Sequence, residues 1–397
     1  MTRIGTGCGH HRGGHRRRYP LVIALASMLL VSSACSPSSS TPTSAQPSSS
    51  PTARAQRLAA ATGGPLRAAS PWLLMQDSHS GTAVWPSGAE FLLLHTVDGW
   101  RHVTNITPVA VPTGGGLSMS ARSRELVVAV LPFHQLVISP ILRSTASGTN
   151  WSPGQLPGGL TIGRQSIGIG PRGVTAVLRT GGGTVVEKGP GGWSVLTDAS
   201  RLAGGRHLQL DAISWGVGGR GWVTGHGPAG GPVAFTTKNS GTTWAAVVGL
   251  ASDAVAALTP CGRGQTWMLP VVRARGTMSI ARSVDGGATW ATGAPLTVPL
   301  GLPVWGCHAQ AAWMMGSATG GDHVYSSGNA GRTWTDHGVA PDGVTDLEPT
   351  GNHTGFATTT QTNGAILWAV RGDGAFFSPM TLPGWVGSVG NQMTPMN

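Results

Sequence analysis

The stretch SVDGGATW, from Ser283 to Trp290, decides the fold, because versions of it recur along the chain. SGNAGRTW from Ser327, TKNSGTTW from Thr237, STASGTNW from Ser144 and TVDGWRHV from Thr96 follow the same pattern. Weaker versions stand at Lys188 (KGPGGWSV) and Arg371 (RGDGAFFS). The seven starting positions lie 44 to 49 residues apart. A period of that size announces repeated four-stranded units, and seven of them predict a seven-bladed β-propeller.

The motif residues explain themselves as a turn. An Asp or Asn side chain accepts from backbone N–H groups a few residues on, Gly takes a positive φ, and Trp lays apolar surface between sheets. A second pattern precedes four of the motifs by 14 to 16 residues: RGWVTG around Trp222, QTWMLP around Trp267, AAWMMG around Trp313 and TGFATT around Phe356. These read as second strands. The sixth repeat then runs strand 1 near LPVWGCHAQ, strand 2 near AAWMMGSA, strand 3 near DHVYSS and strand 4 near RTWTDHG, with the motif on the turn between strands 3 and 4. From Pro71 onward no apolar residues keep helical spacing, and short Val-, Ile-, Leu-, Trp- and Thr-rich runs alternate with Gly and Pro turns, so the class is all-β. Residues 383 to 397 are expected to be either a strand closing the ring beside the N-terminal blade or a frayed tail.

The pattern Ser/Thr-x-Asp/Asn-x-Gly-x-Thr-Trp resembles the Asp box, or BNR repeat, of sialidase-type, sortilin-like and photosystem assembly-factor propellers. Three copies match it well: Ser283, Asp285, Gly287, Thr289 and Trp290; Ser327, Asn329, Gly331, Thr333 and Trp334; and Thr237, Asn239, Gly241, Thr243 and Trp244. Elsewhere Ala146 and Pro190 replace the Asp, and Trp100 replaces the Gly. The resemblance implies a structural role for these residues and a functional face on the other side of the ring. That face is built from loops between strands 2 and 3 and between strand 4 and the next strand 1. Its candidate binding residues are Phe133, His134, His226, Arg273, Arg275 and Asp322.

Arg3, Arg12 and Arg16 to Arg18 precede an apolar run from Leu21 to Val31, the layout of a signal peptide. The run is shorter than the roughly 20 residues a membrane-spanning helix needs. Ser33, Ala34 and Cys35 resemble the end of a bacterial lipobox, which implies lipidation at Cys35; simple secretion is the alternative. Arg16 to Arg18 also resemble a twin-arginine export signal. The Ser/Pro-rich stretch that follows cannot bury enough apolar surface to order itself. The expected organisation is a signal peptide over 1–34, a tether over 35–70 and the propeller over 71–397.

Loss of residues 1–34 removes five arginines and leaves 21 basic residues against 15 acidic, a net charge of +6. The arginines are scattered singly, without the stripe a nucleic-acid site requires. Charged residues make up only 10% of the chain, against the roughly 25% of ordinary domains, as expected of a sheet-and-turn protein with a weakly charged surface. Cys261 and Cys307 each stand six residues before a repeat tryptophan, Trp267 and Trp313. Equivalent places in consecutive repeats allow either a disulfide or two buried thiols.

Sialidase chemistry needs a Tyr nucleophile, an acid/base Asp and three arginines for the substrate carboxylate. Beyond the signal peptide there is one tyrosine, Tyr325, which the repeat places on a third strand rather than near the axis. Asp346 and Glu348 lie on one face of a strand as a carboxylate pair, but read better as solvated residues at a strand start. Asp322 beside His323 is a weaker candidate in a strand 2–3 loop. The histidines lack metal-binding spacing, and GVGGRG, from Gly216 to Gly221, continues as a strand and so is a Gly-rich turn. Trp215, Trp305 and Trp385 lie outside the motif and would serve a sugar site if exposed together. The reading that follows is a monomeric, lipid-anchored, extracytoplasmic propeller that binds a protein partner without catalysis, metal, cofactor or nucleic acid. The alternative is a carbohydrate-binding or sialidase-like glycosidase propeller.

Overall fold

The computed structural model describes residues 70–397 apart from 88–89, 109–110, 113–115, 131–138, 162–164, 204–206, 251–252, 259, 299–303, 362–363, 383–384, 388–392 and 396–397. The expected signal peptide, Cys35, the tether and the face residues Phe133 and His134 lie outside the described residues.

Seven sheets of sequentially paired antiparallel strands make up the ring. They cover 72–105, 117–155, 167–198, 209–246, 254–292, 305–339 and 344–380, here blades 1 to 7. All seven motif positions fall at or near the end of a third strand: Glu90–Thr96, Pro140–Ser144, Thr184–Gly189, Pro232–Thr237, Thr277–Ser283, Gly321–Ser327 and Gly364–Arg371. Within blade 6 the strands are Trp305–His308, Ala311–Ala318, Gly321–Ser327 and Thr335–Val339, in the order the motif spacing predicts.

Position within a blade sets composition. First strands of successive blades pack against one another around the axis, and middle strands are covered on both faces by neighbouring blades. A strand covered on both faces loses its period-2 alternation, and Ala311–Ala318 is buried over its first six residues. The outermost Trp151–Gln155 is mostly exposed and carries Ser, Pro, Gly and Gln. Each apolar cluster therefore bridges two blades: Val127, Ile141, Ile167 and Leu178 join blades 2 and 3, and Trp313, Met315, Leu347 and Val370 join blades 6 and 7.

Closure differs from either sequence expectation. Blade 1 supplies all four of its own strands, and Trp385–Gly387 pairs with Met393–Pro395 rather than with blade 1. The ring instead closes by packing and hydrogen bonding between complete blades. The Leu73 N–H donates to Asp346 Oδ2 at 2.7 Å, and the Thr345 and Thr358 hydroxyls donate to the Pro71 carbonyl at 2.8 and 3.1 Å. Asp346, expected to be solvated, is buried because it accepts this cross-seam bond.

Cys261 and Cys307 form a disulfide with Cα atoms 6.3 Å apart. Cys261 begins the short strand Cys261–Arg263 of blade 5, and Cys307 lies on the innermost strand of blade 6. Among the described residues no helix is long and apolar enough to cross a membrane.

Candidate functional site

Antiparallel order puts the 1–2 and 3–4 turns on one side of the ring, the turn face, and the 2–3 and 4–1 connections on the other, the loop face. The repeated motif occupies the turn face. In blade 5 the Ser283 hydroxyl accepts from Gly287 N–H at 2.7 Å and donates to Asp285 Oδ1 at 2.7 Å. Asp285 Oδ1 also accepts from the Ala288 and Thr289 N–H groups at 2.9 Å. Those bonds, with that of the Thr289 hydroxyl, hold the carboxyl well below the usual carboxylate range.

The same turn forms in blades 1, 2, 4 and 6, including the two whose motifs are degraded. Its third and fourth residues after the Ser/Thr are left-handed in all five blades. Gly331 shows why glycine belongs at the fourth place: its φ is 78°, and a Cβ there would lie 2.5 Å from Ile280 Cβ of the preceding blade. Blade 1 carries fully buried Trp100 there instead, at φ 68°. Trp100 faces the closing seam, where its ring meets Phe356 edge-on at 6.4 Å. Phe356 stands where blades 4 to 6 carry Trp222, Trp267 and Trp313, so the larger residue has moved across the seam.

On the loop face, His226, Arg273, Arg275 and Asp322 fall on three successive blades, 4 to 6. His226 Nδ1 lies 2.5 Å from Asp211 Oδ2, and Arg273 Nε donates to Asp253 at 2.8 Å. The Asp211 hydrogen bond raises the His226 pKa above its usual value against the opposing effect of burial. Asp322 lies on the third strand itself, not in the loop, and accepts from the Ser317 hydroxyl at 3.0 Å. Arg275 is exposed. The loop-face carboxylates named here are thus already partnered within their own blades.

The channel tells a different story. A cavity of about 370 Å³ lies among the first strands, walled by Leu74, Met119, Ile167, Ile213 and Trp215, with Ser120, Gln165 and Ser214 as polar points. Arg122, Gly216, Val217 and Cys261 also line it, so it lies toward the turn face and beside the disulfide. Sequence reasoning missed it, because first strands share no motif. Trp215 donates to the Thr175 hydroxyl at 2.8 Å and packs edge-on against Trp244, while Trp305 joins the apolar clusters between blades 5 and 6. Both are partly buried, and they lie in blades 4 and 6 rather than together on one exposed surface.

Nucleophile geometry is incomplete. Ser326 Oγ lies 2.7 Å from His337 Nε2, but the carboxylate of the adjacent residue, Asp336, holds His323 instead, at 2.9 Å. A triad requires the carboxylate on the same imidazole. Tyr325 sits on that third strand, and burial, with Asp336 nearby, pushes its phenol pKa up. Among the described residues no three His, Cys, Asp or Glu side chains are grouped to hold a metal ion.

No protein-family model and no curated protein sequence matches this chain. Solved structures do. A GH74 xyloglucanase from Xanthomonas campestris aligns over 78% of this chain at 16% identity with a TM-score of 0.55. The chain spans about half of that enzyme, 52% of its length. A putative 6-phosphogluconolactonase from Bacteroides uniformis aligns over 80% of this chain and 98% of its own at 10% identity, TM-score 0.55. YCF48 from Cyanidioschyzon merolae aligns over 76% and 94% at 18% identity, TM-score 0.47. At these identities the likeness is one of fold.

Proposed function

We propose that this chain is a non-catalytic lipoprotein of the bacterial cell envelope, tethered through Cys35, whose Asp-box propeller binds a protein partner. The observation that carries this reading is the fate of its carboxylates. Asp98 and Asp285 are spent inside turns, Asp346 closes the ring, and Asp211, Asp253, Glu125 and Glu187 each pair with a cation or imidazole of the same blade. A glycoside hydrolase needs two carboxylates facing a common substrate. A rigid ring whose carboxylates are committed in place suits recognition better than proton transfer. The glycan reading draws no support from Trp305, which packs between blades 5 and 6, and Trp215, which lines the channel cavity, is held there by Thr175 and Trp244. The five turns, with their Ser/Thr, Asp/Asn and Gly roles, support membership of the Asp-box group.

Crosslinking and co-purification from the native cells tests the proposal, beside Cys35→Ala and Arg275→Ala variants. Recovery of one stoichiometric protein, with the wild type in the membrane fraction and Cys35→Ala released from it, is the expected result. Recovery of wall polysaccharide, or turnover of any member of a fluorogenic glycoside panel, would overturn it.

A further inference from the structure

The 1–2 turns form the inner rim of the turn face, and their residues appear unrelated in the sequence. In the ring they encircle the channel mouth. Blade 1 contributes His79, blade 2 Arg124, blade 3 Arg172, blade 4 Arg220, blade 6 His308 and blade 7 His353. Asp77 is the one carboxylate in these turns, and it is consumed locally, accepting from the His79 and Ser80 N–H groups at 2.7 Å. Arg172 is neutralised by Glu187 at 2.8 Å, and Arg220 donates to the Gly286 carbonyl at 2.6 Å. Arg122 and Arg124 are exposed, and their side chains meet no hydrogen-bond or ion-pair partner among the described residues. Arg122 lines the channel cavity, and Arg124 lines a second hollow of about 330 Å³ against Thr145, Ala146 and Ser147.

We propose that the turn-face mouth of the channel is a docking site for an acidic peptide segment of a partner protein, an apolar side chain entering the cavity and its carboxylates meeting Arg122 and Arg124. This rests on the protein-binding reading and moves the site to the face opposite the sequence-based candidates. Charge complementarity favours an anion, because the Arg122 and Arg124 side chains stand exposed while the carboxylates beside them are committed, Asp77 to its own turn and Glu125, across the strand pair from Arg122, to Arg143. The walls require an apolar group: Leu74, Met119, Ile167, Ile213 and Trp215 offer nothing to a phosphate or sulfate polymer. A flat anionic bilayer cannot reach into the channel. The volume sits at the small end of ligand pockets, which run from roughly 300 to 1,000 Å³, enough for one or two side chains.

The test is fluorescence anisotropy of the full chain without its signal peptide against a labelled Glu/Leu 12-mer. The comparison probes are the same peptide with every Leu changed to Ser, and phosphatidylglycerol vesicles. Arg122→Ala with Arg124→Ala is expected to weaken peptide binding about tenfold or more, as loss of anchoring arginines does. Salt is expected to weaken the wild type more steeply than this variant, and Arg275→Ala on the loop face is expected to change nothing. Both rim arginines are exposed, and an unchanged melting temperature excludes misfolding. Equal binding by the double variant, by the Leu-free peptide or by vesicles would overturn the proposal. If the native partner still co-purifies with the double variant, the protein-binding reading stands and only this site falls.

Discussion

At the scale of single residues, one position tests how the repeat tolerates exceptions. Gly331→Ala places a Cβ against Ile280 at a left-handed φ, so both strain and overlap oppose it. It is expected to cost about 2–4 kcal/mol by denaturant unfolding. Restoring the motif's glycine in blade 1 is expected to destabilise as well. Trp100→Gly relieves roughly 1–2 kcal/mol of left-handed strain but empties a fully buried site whose truncation costs about 3–5 kcal/mol. The sequence departure at Trp100 is thus a seam filling rather than a decayed motif. His226 gives a second test, in pH. Its pKa is raised by Asp211, so its stabilisation is complete below the unfolded value near 6.5 and is lost as pH rises through the folded value. The melting-temperature difference between wild type and Asp211→Asn is expected to be larger at about pH 5.5 than at about pH 8.5. A pH-independent difference would refute the pairing.

At the scale of the element, the turn is held by its hydroxyl more than by its carboxylate. Blade 2 keeps the turn with Ala146 in the Asp place, because Ser144 Oγ still accepts from Gly148 N–H at 2.9 Å. Ser283→Ala is therefore expected to cost about 1–2 kcal/mol, since it orphans a buried N–H. Asp285→Ala, which frees N–H groups that water can reach, is expected to cost less on the same denaturation curve. This hierarchy also explains what was legible in the sequence. Turn chemistry is local, so five motifs and their spacing disclosed seven third strands, and from them the blade count. First strands are selected only for packing on one another around the axis. LSMSAR, IGI and QLDAISW share no pattern that says which side chains meet the channel. The cavity was invisible for that reason. The rim cations were on view but looked scattered, because residues about 45 apart in the chain become neighbours only when the period closes into a ring.

For the whole molecule, the question is how a ring holds without a strand shared between its first and last blades. Six of its seven seams are covalently continuous, and the seventh depends on Asp346, Thr345, Thr358 and the Trp100–Phe356 contact. The disulfide lies elsewhere, between blades 5 and 6, so it ties a different junction of the ring. These two supports are expected to fail differently. Replacing both cysteines by Ser releases a constraint spanning 46 residues, worth about 4 kcal/mol in the chain-entropy account, and is expected to lower global stability. Asp346→Asn keeps the shape but weakens a buried, charge-assisted acceptor for the Leu73 N–H, a bond class worth about 1.5–3 kcal/mol. Hydrogen exchange measured peptide by peptide separates the two. Asp346→Asn is expected to speed exchange in 72–75 and 344–349 before other blades respond. The cysteine variant is expected to raise exchange around the ring together, through global unfolding. Uniform exchange in both variants would mean that the closing seam is no weaker than the rest and that the ring opens only by unfolding as one unit.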